Sequence, residues 1–153
     1  MSATADRLRV AAVGVGYLGR HHARILAQLE GVEFVGVVDR NEARAAEIAA
    51  GVGSRAFTDP GQLEGLVDAV TIAVPTEAHH EVAKPFLEAG IGVLVEKPLA
   101  RTLAEADDLI AIAARTGAVF AVGHTVRFNP AVTAALALVS NPGFVEIHRL
   151  GTF

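Results

Sequence analysis

One short turn constrains the fold of this chain more than any other feature. Leu8–Val13 is an apolar run that reads as a buried strand, and it leads directly into Gly14, Val15, Gly16, Tyr17, Leu18 and Gly19. Leu18, His22, Ile25 and Leu29 then recur at helical spacing, and Gly31 ends that helix. A second apolar run, residues 32–38, closes on Asp39. Strand, glycine turn, helix, strand and acid, in that order, describe a βαβ unit that binds a dinucleotide. Each part has a physical task. Gly14 permits the tight turn. Gly16, lacking a Cβ, lets a pyrophosphate approach the backbone, and Gly19 lets the helix pack closely on the strand. The helix N-terminus presents N–H groups and a positive dipole end to the phosphates. Asp39 lies 20 residues beyond Gly19, the separation at which a carboxylate accepts both hydroxyls of a ribose. A glycine turn in some other α/β protein would need neither the flanking strands nor the spaced acid.

The 153 residues suffice for one domain with a sizeable core, and 52% of them are hydrophobic. No apolar run approaches the ~18 residues of a membrane span, so this richness belongs to a parallel sheet covered on both faces. A formal net charge of −4 without a basic block argues against nucleic acid as a partner. The lack of cysteine excludes disulfides, thiolate chemistry and zinc–thiolate sites. The first seven residues are polar and carry no apolar signal segment, so the expected location is cytoplasmic.

Helices and strands alternate along most of the chain. Residues 42–50 read as a helix, 56–58 as a short strand and 69–74 as a central strand closed by Pro75. Thr76 is placed to cap a helix running towards Ala89, with Pro85 expected to kink it. Residues 91–95 form the next strand. Thr102 and Glu105 are spaced as a capping box for a helix that stops at Gly117, and 119–122 is a sixth strand. The pattern predicts an α/β fold, a Rossmann-type doubly wound parallel sheet over residues 1–125. Residues 126–153 depart from it. Asn129-Pro130 breaks the chain, residues 131–139 read as an Ala/Leu-rich helix, and 144–150 alternate apolar and polar like one strand of an antiparallel sheet. One strand cannot form a sheet alone, so this is expected to be the first strand of a missing or partner-completed C-terminal domain.

Ligands of open α/β sheets bind beyond the carboxyl ends of the strands. The segments there are Asp39-Arg40, the loop from Val74 and Pro75 to His79, Glu96-Lys97-Pro98, and residues 124–130 with Arg127. An apolar strand delivers Lys97 to the sheet edge, where loss of solvent can lower a lysine pKa and fit it for acid/base work; the plainer alternative is a surface pair with Glu96. Pro98 admits a cis bond that would pin the Lys97 backbone. His79 is either a ligand-bonding or a structural histidine. Arg127 either clamps an anionic substrate or a cofactor phosphate, or forms a structural ion pair. The six histidines include two adjacent pairs and none at i, i+4, so no metal site is expected.

Taken together these segments resemble the Gfo/Idh/MocA oxidoreductases. The resemblance is carried by Gly14 to Gly19 with His22 beyond, Asp39, the loop from Val74 to His79, Glu96-Lys97-Pro98-Leu99 after Val95, and Gly123 to Pro130 with Arg127 and Phe128. Within the family, this last segment and the Glu146 to Leu150 run look most like bacterial UDP-N-acetylglucosamine 3-dehydrogenase-type members. The resemblance implies a dehydrogenase that moves hydride between nicotinamide and a secondary alcohol of a sugar or nucleotide sugar. Lys97 would be its acid/base and a substrate contact. Gly14, Gly16, Tyr17, Leu18, Gly19, Asp39, Arg40, Val74, Pro75, His79, Glu96 and Lys97 would line the cofactor, and Arg127 the substrate. Asp39 favours NAD over NADP, while Arg40 beside it could receive a 2′-phosphate. Family members are considerably longer. A second domain binds substrate, supplies a catalytic histidine and commonly mediates association into homo-oligomers, so this chain resembles the cofactor half. The alternatives are a non-catalytic dinucleotide-binding regulatory module, or another reductase of the family acting on aldoses, dihydrodiols or imines.

Overall fold

The computed structural model describes residues 7–146. Leu8–Val13 forms the first strand, β1, and its side chains divide between two faces. Ala11 and Val13 enter one core cluster and Ala12 enters another. The chain continues through α1 (Gly19–Leu26), β2 (Val32–Val38), α2 (Glu42–Val52), β3 (Arg55–Phe57), β4 (Ala69–Ile72), α3 (His79–Glu88), β5 (Gly92–Val95), α4 (Leu103–Thr116) and β6 (Phe120–Val122). The strands pair in the order β3-β2-β1-β4-β5-β6, every pair parallel. This is the expected doubly wound sheet, and its order reverses between β1 and β4.

Both faces are covered, which is why the strands read as continuous apolar runs. Ala23 of α1 and Ala45 and Ala49 of α2 pack with Ala12, Val15 and Val37. Phe86 and Leu87 of α3 and Leu109 and Ile112 of α4 pack with Val70, Ile72, Val93 and Val95. Thr102 accepts from the Glu105 amide at 3.2 Å while the Glu105 carboxylate returns to the Thr102 amide, closing the expected capping box. The start of α3 differs from expectation. Thr76–Ala78 winds as a 3-10 turn preceded by Pro75, no side chain caps it, and the α-helix begins at His79. That helix runs on through Pro85. The central strand is also shorter than expected. Its last residue is Ile72, with one further rung through the Ala73 amide before the loop at Val74.

One compact unit ends at Gly123 and a second begins at His124. In the second, Thr125–Phe128 is a 3-10 turn, and Asn129 caps α5 (Pro130–Leu138) by accepting from the Ala131 amide at 2.9 Å. None of the residues of α5 is buried. Of the strand expected over residues 144–150, only the first three residues are described. Phe144, Val145 and Glu146 are exposed and form no strand, and residues 147–150 lie outside the described residues. Apolar alternation suits a strand, but only a ladder partner makes one. Among the described residues no helix is long and apolar enough to cross a membrane.

Candidate functional site

At the carboxyl edge of the sheet the ladder extends one residue past every strand but β3. The amides of Asp39, Gly14, Ala73, Glu96 and Gly123 donate to Phe57, Val38, Val13, Ile72 and Val95 respectively, at 2.8–3.1 Å. This last rung sets Asp39, the glycine turn, the β4 loop and Glu96 side by side, although they are far apart in sequence.

The turn after β1 is built as its three glycines require. Gly14 adopts φ +81°, a region open to glycine at little cost. A Cβ on Gly19 would drive into the Gly14 carbonyl and lie 3.3 Å from the Ala73 Cβ, so only glycine lets α1 sit this close. At Gly16 a Cβ would meet nothing within 4 Å. The backbone there faces open space, which is the cradle a pyrophosphate needs. Asn41 and Thr102 cap α2 and α4, whereas no side chain caps α1. Those N-terminal amides suit an anion.

A cleft of about 1280 Å³ opens at the β1/β4 reversal. Gly14, Gly16, Leu18, Asp39, Arg40, Val74 and Pro75, all expected at a cofactor, line it. Arg44 and the Thr58 to Gly61 segment line it too, as do Pro85 and Phe86 of α3. Tyr17, also expected there, projects outward at 75% exposure beneath the Arg20 guanidinium.

Asp39 is 7% exposed and densely bonded. Oδ1 accepts from the Asn41 amide at 2.9 Å and from Arg44 Nη2 at 2.8 Å; Oδ2 accepts from the Val15 amide at 3.0 Å and from Arg44 Nε at 2.9 Å. Burial pushes the Asp39 carboxyl up. The Arg44 hydrogen bonds, the two amides and the Arg44 charge outweigh it, so the group lies below the ordinary carboxylate range. Arg44 was not foreseen from the sequence. Its signal is the Asn41 cap, whose side chain accepts from the Arg44 amide at 3.0 Å and turns this residue back towards Asp39.

Of the two roles left open for His79, its contacts are those of the structural one. Its ring is 1% exposed, with Nδ1 2.9 Å from the Pro98 carbonyl and Nε2 3.0 Å from the Val74 carbonyl. Whichever nitrogen carries the hydrogen donates to its carbonyl, and the buried ring sits between the β4 loop and the β5 loop. The Lys97–Pro98 bond is cis. Lys97 itself is exposed; β5 ends at Val95, and the expected withdrawal of this lysine from solvent is not the state seen here. Glu96 is 7% exposed. Its carboxylate accepts from the Lys97 amide at 3.2 Å and meets His22 Nε2 at 3.2 Å, while His22 Nδ1 is buried without a partner. A Cβ on Gly123 would lie 2.9 Å from Glu96 Oε1, so the glycine makes room for this pair. His22 was seen in the sequence only as part of the turn motif; its position one turn into α1, over the strand ends, was the available signal. Arg127 belongs to the second unit and is exposed on its 3-10 turn. Among the described residues no three histidine or acidic side chains gather as a metal site would require.

The model of an oxidoreductase family with an NAD-binding Rossmann fold, Gfo/Idh/MocA, matches residues 8–124. A UDP-N-acetylglucosamine 3-dehydrogenase of Acidithiobacillus ferrooxidans is 40% identical over 147 residues, 95% of this chain and 46% of that protein. The solved structure of that enzyme, GnnA, superposes with a TM-score of 0.82, covering 86% of this chain and 42% of that one. GenD2 from gentamicin A biosynthesis, solved in complex with NAD, is 34% identical with a TM-score of 0.84, covering 92% of this chain and 41% of that one. The chain thus spans less than half the length of each of these relatives. On the matched residues, the parallel sheet and the glycine turn at its reversal, the chain belongs to the Gfo/Idh/MocA oxidoreductase family and carries its NAD-binding Rossmann domain.

Proposed function

We propose that this chain is the cofactor-binding part of an NAD-dependent dehydrogenase that oxidises a secondary alcohol of a sugar or nucleotide sugar. The observation that carries the proposal is the row at the carboxyl edge, which ranks Asp39, the glycine turn and Glu96 along one cleft-bearing border. A doubly wound sheet holds one mononucleotide over each half. Gly14, Gly16 and the start of α1 would hold the pyrophosphate, Asp39 the adenosine ribose, and Val74 and Pro75 the wall between the halves. The second half then extends over the β4 and β5 ends, where Glu96 and Lys97 stand. When bound, the nicotinamide supplies a carbon that exchanges hydride with the substrate. Lys97, exposed beside that position, takes the hydroxyl proton during oxidation and returns it during reduction. Glu96, held by His22, places a carboxylate on the same side.

The nucleotide-sugar class draws support from the relative named for UDP-N-acetylglucosamine, the most extensively covered of those above. NAD is preferred to NADP because Asp39 accepts ribose hydroxyls and repels a 2′-phosphate, a preference narrowed by Arg40 and Arg44 at the same mouth. Self-association belongs to the same proposal, supported by exposed Leu136, Leu138 and Phe144 in the second unit.

Titration followed by NADH fluorescence tests the cofactor step, and the chain's lack of tryptophan keeps the background low. Saturable NADH binding is expected. Its absence in folded protein sinks the proposal. NADH formation on addition of UDP-N-acetylglucosamine or simple sugars tests the substrate class.

A further inference from the structure

The four donors on Asp39 leave no room for a fifth. A carboxylate offers about four lone-pair sites, and those of Asp39 are taken by the Val15 amide, the Asn41 amide and both Arg44 nitrogens. A ribose diol must also donate to this carboxylate, so one present donor has to leave. The Val15 amide is part of the glycine turn, and Val15 is 1% exposed. The Asn41 amide belongs to the capped start of α2. Neither moves without unmaking the turn or the cap. Arg44 is held only by its own long side chain, 47% exposed, and it lines the cleft.

We propose, resting on the dinucleotide reading of the cleft, that Arg44 is its specificity-determining residue: it occupies the ribose seat on Asp39, swings away when a dinucleotide binds, and then favours one bearing a 2′-phosphate. The consequence runs against the usual expectation for an arginine in a phosphate-binding site. For NADH, Arg44 is a competitor whose ion pair with Asp39 must first be broken. For NADPH, the displaced guanidinium stays tethered one turn into α2, next to the ribose 2′ position, and gains the phosphate in exchange for the carboxylate. Asp39 alone would reject the phosphate strongly; Arg44 softens that rejection from both sides. Arg40 differs, because it is exposed at the mouth and its side chain is not bonded to Asp39. It can assist a phosphate without obstructing a ribose.

The experiment is a titration of the 153-residue chain with NADH and NADPH. It compares wild type with Arg44→Met, which keeps the aliphatic stem, Arg44→Ala, and Arg40→Ala. Thermal unfolding verifies that each variant is folded. Both Arg44 variants should bind NADH more tightly, by about threefold or more. They should bind NADPH about tenfold more weakly, the lower end of a charge-assisted hydrogen bond because the side chain is half exposed. Arg40→Ala should weaken NADPH without the tightening of NADH that both Arg44 variants show. Weaker NADH binding by folded Arg44→Met, or an unchanged NADPH-to-NADH ratio, overturns the assignment of Arg44. Failure of the wild type to bind either dinucleotide overturns instead the reading of the cleft on which the assignment rests.

Discussion

Gly16→Ala and Gly19→Ala make a matched pair that separates folding from binding. The same methyl is added three residues apart in one turn, and the structure assigns it opposite surroundings. At Gly19 the new Cβ would collide with the Gly14 carbonyl, lie 2.8 Å from the Gly14 carbonyl carbon and 3.3 Å from the Ala73 Cβ. Two of these neighbours are backbone atoms of the turn itself, so relief requires α1 to move away from β1 and β4. Overpacking of this kind costs about 1–3 kcal/mol, and more where the obstacle is backbone. Against a total stability of roughly 5–15 kcal/mol, at least about 3 kcal/mol is expected for Gly19→Ala, and dinucleotide affinity falls with it. At Gly16 nothing lies within 4 Å and no positive φ is required. Gly16→Ala should therefore be neutral or stabilise by up to about 1 kcal/mol through the unfolded chain. Its methyl, however, occupies the space through which a pyrophosphate reaches the backbone. NADH affinity should fall at least about tenfold, or 1.4 kcal/mol. Urea unfolding followed by circular dichroism gives the stabilities, and NADH fluorescence gives the affinities. Wild-type NADH binding by Gly16→Ala would refute the placement of the pyrophosphate, and wild-type stability of Gly19→Ala would refute the packing argument.

Three further outcomes follow from the same geometry. Lys97→Ala should leave NADH affinity within a few-fold and, in an assay where sugar turnover is measurable, lower kcat by roughly 10²–10⁴; near-normal turnover would leave Lys97 only structural. Asp39 has a folded pKa below its unfolded value of about 3.9, so its contribution to stability is present above that value and lost as pH falls through the folded pKa. Urea midpoints should drop between about pH 5 and pH 3, and Asp39→Asn should flatten that part of the curve; an equally steep acid loss in the variant would assign it to other carboxylates. Thr102→Ala removes one half of the capping box on α4 and should cost about 1 kcal/mol, with no change in NADH affinity.

What could be read from the sequence was whatever is encoded over short separations. Gly14 and Gly19 declare a turn because backbone angle and close packing bar a side chain there, Gly16 because the space in front of it is left open for a ligand, and Asp39 declares itself because one strand carries it to the edge. The strand order follows from alternation of strands and helices. The contacts that now define the site chemically cross between elements or end on backbone. Arg44 looks like an ordinary helix residue until the Asn41 cap turns it onto Asp39. His79 looks like a ligand residue because its two partners, the carbonyls of Val74 and Pro98, have no sequence signature. The apolar alternation of residues 144–150 is local, but the ladder partner a strand needs is not encoded beside it, and Phe144 to Glu146 stand outside any strand.

The pair of His22 and Glu96 carries the remaining prediction. Glu96 holds a carboxylate at 7% exposure, against a Gly123 that leaves no space for a side chain. An ion so placed needs its partners. One is the Lys97 amide, fixed by the chain; the other is His22 Nε2 on α1, each at 3.2 Å. Removing the second by His22→Ala leaves a buried carboxylate half satisfied, which costs about 1–3 kcal/mol. His22→Gln offers an amide donor at similar reach and should recover a substantial part of that loss. If instead the histidine matters only for filling space, His22→Leu should restore stability as well as glutamine does. The double variant His22→Ala with Glu96→Gln separates the two cases. Where the carboxylate is the source of the penalty, neutralising it makes the double variant more stable than His22→Ala alone, a coupling readable above about 0.5 kcal/mol. Simple additivity of the two substitutions would show that the side chains merely touch. Coupling would place a carboxylate partnered by His22 at the end of β5, beside Lys97, held there by the helix that also presents the glycine turn.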